Sequence, residues 1–177
     1  AACSSGKDDD IGVTTRWLGP LHQYERLSGK DRFGVFLKKD ALPPATVRQL
    51  RIAPVEVTIS AGSDLNALNP ASYEQLRAAF SEPLKEQVAR RFPAPTEKEL
   101  QDGDTYVLRA ALANLTVKRK TTQFGSAELK DLEFATEDTA VEISFREMRT
   151  NIRRAVIVQK ITGGKISWNG LRERIKA

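Results

Sequence analysis

The side chains that could do chemistry in this sequence are few. There is a single cysteine, Cys3, and a single histidine, His22. One cysteine excludes a disulfide within the chain. One cysteine and one histidine together exclude a structural zinc site built from those ligands. A nucleophile activated by histidine would need His22, which lies in a stretch without order signals, whereas such a base must be held within hydrogen-bond reach. Carboxylates are the remaining catalytic candidates. Glu56 with Glu142 or Glu147 would suit glycoside hydrolysis if the pair were held about 5–10 Å apart. Each of these residues sits in a strand-like alternation, where an acid usually marks the wet face. Asp102-Gly103-Asp104 places two acids around a turn, but the further oxygens of a calcium loop are missing, so no metal is expected there. Gly163-Gly164 lacks the flanks of a phosphate-binding loop and reads as a turn. No cofactor is indicated, and the expectation is that the chain is not an enzyme.

Charge is a stronger signal than catalysis. The chain carries a net +5 with a pI near 9.4. From residue 146 onward there are nine basic residues against two acidic ones, a balance of +7 that leaves the rest at −2. Arg146, Arg149, Arg153 and Arg154 fall within nine positions of one another and are candidates for contact with an anionic partner, such as lipopolysaccharide phosphates. Lys118-Arg119-Lys120 is a shorter basic run and reads as a solvated strand end. Nucleic acid is not expected as a partner, because no aromatic residues interleave with the arginines to form a stacking platform.

The N-terminus supplies a different chemistry. Ala1-Ala2-Cys3 is similar to the end of a bacterial lipobox, where a narrow peptidase pocket admits small residues before the cysteine. The apolar segment that should precede it would have been trimmed from a precursor. Ser4 to Asp10 is polar and reads as a tether. The resemblance implies that Cys3 carries a thioether-linked diacylglycerol and an amide-linked acyl chain such as palmitate. At about 0.8 kcal/mol per buried CH₂, more than one chain gives stable anchoring. Ser4 rather than Asp after the cysteine is similar to lipoproteins sorted to the outer membrane. No run approaches the ~18 apolar residues of a spanning helix.

These groups must be positioned by strands and one long helix. In the stretch from Leu50 to Ser60, Val55, Val57 and Ile59 alternate with Glu56, Thr58 and Ser60, the period of a half-buried strand. Pro54 inside it belongs at an edge, at a bulge, or with its nitrogen facing away from a neighbour. Asn69 is a candidate N-cap with Pro70 at the first helical position. Tyr73, Leu76, Phe80, Leu84 and Val88 then form one apolar stripe on a helix over 71–92, with Pro83 expected to kink it or to split it at Ser81. Thr105 to Val117 is a strand with Tyr106, Leu108, Ala110 and Leu112 on one face. Val141, Ile143 and Phe145 alternate with Glu142, Ser144 and Arg146, which predicts another half-buried strand with its polar residues wet. Ile152 to Ile161 returns as its hairpin partner, through a turn in which Asn151 takes positive φ. Phe33 to Asp40 is a short strand or a packed loop. Residues 121–138 form a long connection of the kind that usually has a role of its own.

The order of several stretches resembles a known family. Phe33-Gly34-Val35-Phe36-Leu37-Lys38-Lys39-Asp40, then Arg51-Ile52-Ala53-Pro54-Val55-Glu56-Val57, then Arg109 to Leu115, then Glu142 to Asn151 follow the sequence of motifs in the domain of unknown function 3313 family of bacterial outer-membrane lipoproteins. The match runs roughly from Phe33 to Val158. Glu147 stands where the family tends to have Asp, Asn151 where it has Gly, and the family's C-terminal helix is short or missing. The resemblance implies an envelope lipoprotein and no catalytic residues.

Together these readings predict residues 1–30 as a lipobox remnant and flexible tether and residues 31–177 as a single domain. The domain is expected to be α+β and two-layered: a mixed sheet of three to five strands, built as β-α-β followed by a β-hairpin, with the kinked helix on one face. The other sheet face is solvated, covered by the stretch from Ile11 to Asp40, or used for binding. The expected function is that of a non-catalytic binding or assembly module in the bacterial cell envelope, anchored through Cys3 to the outer membrane and facing the periplasm. Its expected partners are the membrane and an anionic envelope component or another envelope protein. The alternatives are an envelope hydrolase using carboxylates and a basic nucleic-acid-binding domain.

Overall fold

The structure is a computed structural model, and it describes residues 15, 17–28, 33–38, 49–64, 67–91, 105–120, 128–161 and 164–176. In chain order the elements are β1 (Tyr24–Ser28), β2 (Phe33–Lys38), β3 (Gln49–Ile52), β4 (Glu56–Ile59), α1 (Pro70–Arg91), β5 (Thr105–Arg119), β6 (Leu132–Ala135), β7 (Ala140–Glu147), β8 (Arg153–Lys160), β9 (Lys165–Ser167) and α2 (Trp168–Lys176). The nine strands make one curled, half-barrel sheet in the order β1-β2-β8-β7-β5-β6-β9. β3 and β4 pair in parallel with the free side of β5, and every other pairing is antiparallel.

This corrects the expected α+β two-layer domain of three to five strands with one helix on one face. Among the described residues the chain is mostly β, with nine strands and two α-helices. The missed strands are short. β1, β6 and β9 hold three to five residues each, too few to display a period, and neighbours distant in sequence hold them in place; the single strand expected from Leu50 to Ser60 is divided at Pro54 into β3 and β4. The tether assignment changes as well. Of residues 1–30, those from 17 to 28 are folded: Leu18, Leu21 and Tyr24 are buried, and β1 is the sheet's outer strand.

β5 is the axis of the fold. It alone pairs with four other strands. Tyr106, Leu108, Ala110 and Leu112 point to one face, and beyond Asn114 the buried residues on that face become Leu115 and Val117. The parity slips because Asn114 takes φ 61° and forms a bulge, a conformation that Asn tolerates better than most residues. Thr58 Oγ1 accepts the Asn114 N–H at 2.8 Å, so the bulge keeps its backbone donor satisfied. Pairing with β7 ends at Ala113 and pairing with β6 begins at Thr116, so the bulge is where the sheet turns.

Each face of the sheet has its own core. On one face, Leu76 and Phe80 of α1 and Leu171 of α2 pack with the inward residues of β5 and with Leu132 and Phe134 of β6. α1 starts as its sequence dictates: Asn69 Oδ1 accepts the Ser72 N–H at 2.7 Å. The Tyr73 hydroxyl donates to the Val57 carbonyl at 2.9 Å and fastens the helix to β4. The helix runs on through Pro83. On the other face, Phe36, Ala140, Val156 and Val158 lie beneath Leu18, Leu21 and Tyr24. Pro54 falls in the break between β3 and β4, on the sheet's edge, where its missing N–H costs nothing.

Gly34 shows how tightly this second core is closed. A Cβ there would lie 2.5 Å from Cε2 and 2.6 Å from Cζ of Phe36, whose side chain is fully buried. The ring has little room to move away, so Gly34→Ala is expected to cost about 1–3 kcal/mol of stability. A urea unfolding midpoint unchanged from wild type would show instead that the Phe36 ring yields freely.

Candidate functional site

The β7–β8 hairpin positions the four arginines. Its turn is built by Asn151 at φ 56°, whose N–H donates to the Glu147 carbonyl at 2.8 Å. The Met148 N–H donates to the Thr105 carbonyl at 3.0 Å and ties the turn to the start of β5. A register shift between Phe145 and Arg146 then sends the arginines different ways. Arg153 turns toward the face beneath the N-terminal segment. Its Nε–H donates to the Tyr24 hydroxyl at 2.7 Å, its Nη1 to the Leu18 carbonyl at 2.9 Å, and its guanidinium lies 5.2 Å from the Tyr24 ring centre. Arg154 forms a half-buried ion pair with Glu147, donating two bonds to the same oxygen at 2.8 and 3.1 Å. Arg146 donates to the Asn151 carbonyl at 2.9 Å and braces its own turn. Arg149 stands exposed in the turn. The four residues share one hairpin, but Arg153 and Arg154 serve the fold, and Arg149 with Arg146 forms the part that faces outward.

The carboxylates proposed as a catalytic pair are also at work in the fold. Glu142 is fully buried, and its Oε2 accepts the backbone N–H groups of Trp17 at 2.9 Å and Leu18 at 2.7 Å. Glu56 accepts the Trp17 indole N–H at 2.8 Å and pairs with Arg109 at 2.9 Å. The Arg109 guanidinium in turn lies 5.5 Å from the Trp17 ring centre. Trp17 therefore joins both acids from above. The polarity expected of β7 is reversed in part: Glu142 and Ser144 are buried, while Val141, Ile143 and Phe145 are only half-buried. The strand's own alternation could not show this, because the cover that buries Glu142 lies 124 residues upstream.

The other sequence candidates are quickly placed. His22 is exposed in the turn before β1. Cys3, the Asp102–Asp104 turn and Gly163 lie outside the described residues. Among the described residues no cluster of three or more His, Cys, Asp or Glu side chains could hold a metal, and no helix is long and apolar enough to cross a membrane. A cleft of about 530 Å³ opens between the end of β4 and the start of α1. Its polar groups are engaged by β5: Ser60 Oγ bonds Thr116 Oγ1 at 2.6 Å, Ser63 Oγ accepts the Val117 N–H, and Asp64 accepts the Arg119 N–H. The basic run at the end of β5 is thus a structural corner. Lys118 pairs with Asp64 at 3.3 Å, and Lys120 donates to the Lys130 carbonyl at 3.1 Å.

No family model matches the chain, and no curated protein matches it. Among solved structures it is similar to PelC dodecamers from Paraburkholderia phytofirmans. A point variant of PelC shows 12% identity over 77% of this chain and 90% of that one, with a TM-score of 0.32. The PelC dodecamer in another crystal form shows 10% identity over 80% and 93%, with a TM-score of 0.33. Likeness at this level carries no conclusion about fold or function.

Two outcomes follow from this geometry. Glu142→Gln keeps the shape but weakens the acceptor of two buried N–H groups, and is expected to lower stability by about 1–3 kcal/mol in urea unfolding. Glu137→Gln, at an exposed turn, should leave the midpoint where it is; equal midpoints for all three proteins would remove the clamp. Asp64 behaves differently with pH. The Arg119 backbone N–H above all outweighs the opposing effect of burial and, with Lys118 adding to it, holds its carboxyl below the usual Asp range. The unfolded state then binds the proton more readily, so this contribution is complete above roughly pH 4 and fades as pH falls below it. Thermal melts between pH 5 and 2 should therefore fall more steeply for wild type than for Asp64→Asn; parallel curves would show that the corner is not pH-sensitive.

Proposed function

We propose that this protein is a lipoprotein of the bacterial cell envelope, anchored through Cys3 to the outer membrane and facing the periplasm, whose curled β-sheet domain is a non-catalytic binding or assembly module. The observation that carries the reading is Ala1-Ala2-Cys3-Ser4 followed by a polar run, a pattern suited to lipidation of the cysteine. The motif order resembling the domain of unknown function 3313 family supports the same compartment. The length of chain before the clamp permits it. Trp17 and Leu18 are clamped to β7, and thirteen residues, 4–16, lie between the cysteine and that clamp in the sequence. Thirteen residues reach at most about 45 Å when fully extended, which would hold the domain close to a bilayer surface.

The non-catalytic reading is supported by what the acids do. Glu142 and Glu56 both bind the Trp17 segment, and this use leaves no reason to assign them to a substrate. The proposed partner is an anionic envelope component meeting the outward part of the hairpin tip, Arg149 with Arg146. Contacts of this kind weaken as salt is raised.

The anchor is tested by feeding cells an alkyne-tagged fatty acid while the protein is expressed from its full-length gene. Wild type should carry the label and sediment with membranes. Cys3→Ser should do neither; a labelled Cys3→Ser protein, or an unlabelled and soluble wild type, would contradict the reading. For the hairpin tip, Arg149→Glu is expected to weaken binding to vesicles containing anionic lipid at least several-fold at low salt. Equal binding by the two proteins would remove the tip from the interface.

A further inference from the structure

A second cleft lies at the end of the hairpin away from the arginine tip. Its volume is about 740 Å³, and it forms where the second half of α1 and the end of α2 pass over the start of β7 and the end of β8. That size falls within the range of small-molecule sites. The floor is apolar: Phe80, Leu84, Val141, Ile161 and Ile175 line it, and all five belong to or pack on the helix-side core. The rim is cationic. Lys160 ends β8, Arg174 is on the last turns of α2, and Arg90 is on the last turn of α1. Glu86 is the one acid lining the cleft among the described residues, and it is paired with Arg90.

Lys160 and Arg174 carry the argument. Neither has an ion-pair partner among the described residues, whereas Arg90, Arg109, Lys118 and Arg154 all have one. Lys160 is half-buried and Arg174 exposed, so the Lys160 stem can lie along the apolar floor while its ammonium reaches the rim. A hydrocarbon alone would cover the floor and leave both cations without a counter-charge. A small inorganic anion would answer the cations and leave the apolar floor wet. A ligand with an anionic head and a hydrocarbon body satisfies both at once, because the head supplies charge-assisted hydrogen bonds and the body buries the floor.

We propose that this cleft binds an anionic amphiphile, with a phosphate or carboxylate head held by Lys160 and Arg174 and a hydrocarbon body lying against Phe80, Leu84, Ile161 and Ile175. The site is separate from the arginine tip of the same hairpin. It does not depend on lipidation of Cys3, and a Cys3→Ser protein retains it.

The test is calorimetric titration of the folded Cys3→Ser protein with dodecyl phosphate kept below its micellar concentration. The expected result is saturable binding of one molecule per chain that weakens as salt is raised. Inorganic phosphate and dodecyl maltoside should each bind at least about tenfold more weakly, one lacking the body and the other the charge. Lys160→Glu with Arg174→Glu should weaken dodecyl phosphate at least about tenfold, and the milder Lys160→Gln with Arg174→Gln by less. Both pairs lie at the solvent side, so their melting curves should match wild type. Arg149→Glu, at the tip, should bind as wild type does. The proposal is overturned by an absence of saturable binding, or by inorganic phosphate or the maltoside binding as tightly as dodecyl phosphate. It is equally overturned if the charge reversals have no effect, or if Arg149→Glu abolishes binding, which would place the anion at the tip instead.

Discussion

The structure depends on a carboxylate with no access to water. Glu142 stands in the middle of the sheet, fully buried, and an isolated charge there would cost several kcal/mol. That cost is offset by donors that come from far away in the chain. The Trp17 and Leu18 N–H groups close on one oxygen at 2.9 and 2.7 Å. The interaction works in both directions. The acid needs the segment to satisfy its charge, and the segment, which has few neighbours of its own in sequence, needs the acid to fix its path. Once Trp17 is placed, Glu56 and Arg109 meet its indole, Arg153 reaches the Leu18 carbonyl, and Leu18, Leu21 and Tyr24 close over Phe36, Val156 and Val158.

The rest of the architecture follows from having two covered faces on one sheet. β5 runs through the centre and changes parity at Asn114, which lets a single strand pair with β7 along its first part and with β6 along its last. The helices close one face, and the N-terminal segment closes the other. The hairpin of β7 and β8 belongs to both cores. Its tip braces the turn with Arg146 and pins the N-terminal segment with Arg153, and its far end borders the cationic cleft. Basic side chains that look alike in sequence thus divide into structural and outward-facing groups according to which face they meet.

Features set by local chemistry were legible in the sequence. The Asn69 cap, the apolar stripe of α1, the positive φ of Asn151 and the edge position of Pro54 each depend on a residue's own preferences or on neighbours a few positions away. Features set by distant pairing were not. β1 and β6 have no period of their own and exist because β2 and β5 offer them hydrogen bonds. The buried state of Glu142 is not legible either, because an acid alternating with Val141, Ile143 and Phe145 looks solvated until something covers it. Arg153 and Arg154 were grouped with Arg149 for the same reason: proximity in sequence does not reveal a register shift. The cleft bordered by Lys160 and Arg174 draws on three separated stretches, and no one of them signals it.

The most direct test of this account is the hydrogen-exchange rate of the Trp17 and Leu18 amides in the native protein. If both donate to the buried Glu142 carboxylate, they exchange as slowly as the central amides of β7 and β8, opening only when the second core opens. Exchange of these two amides at the rate of an unstructured chain, beside well-protected strand amides, would contradict the clamp and the two-faced core built on it.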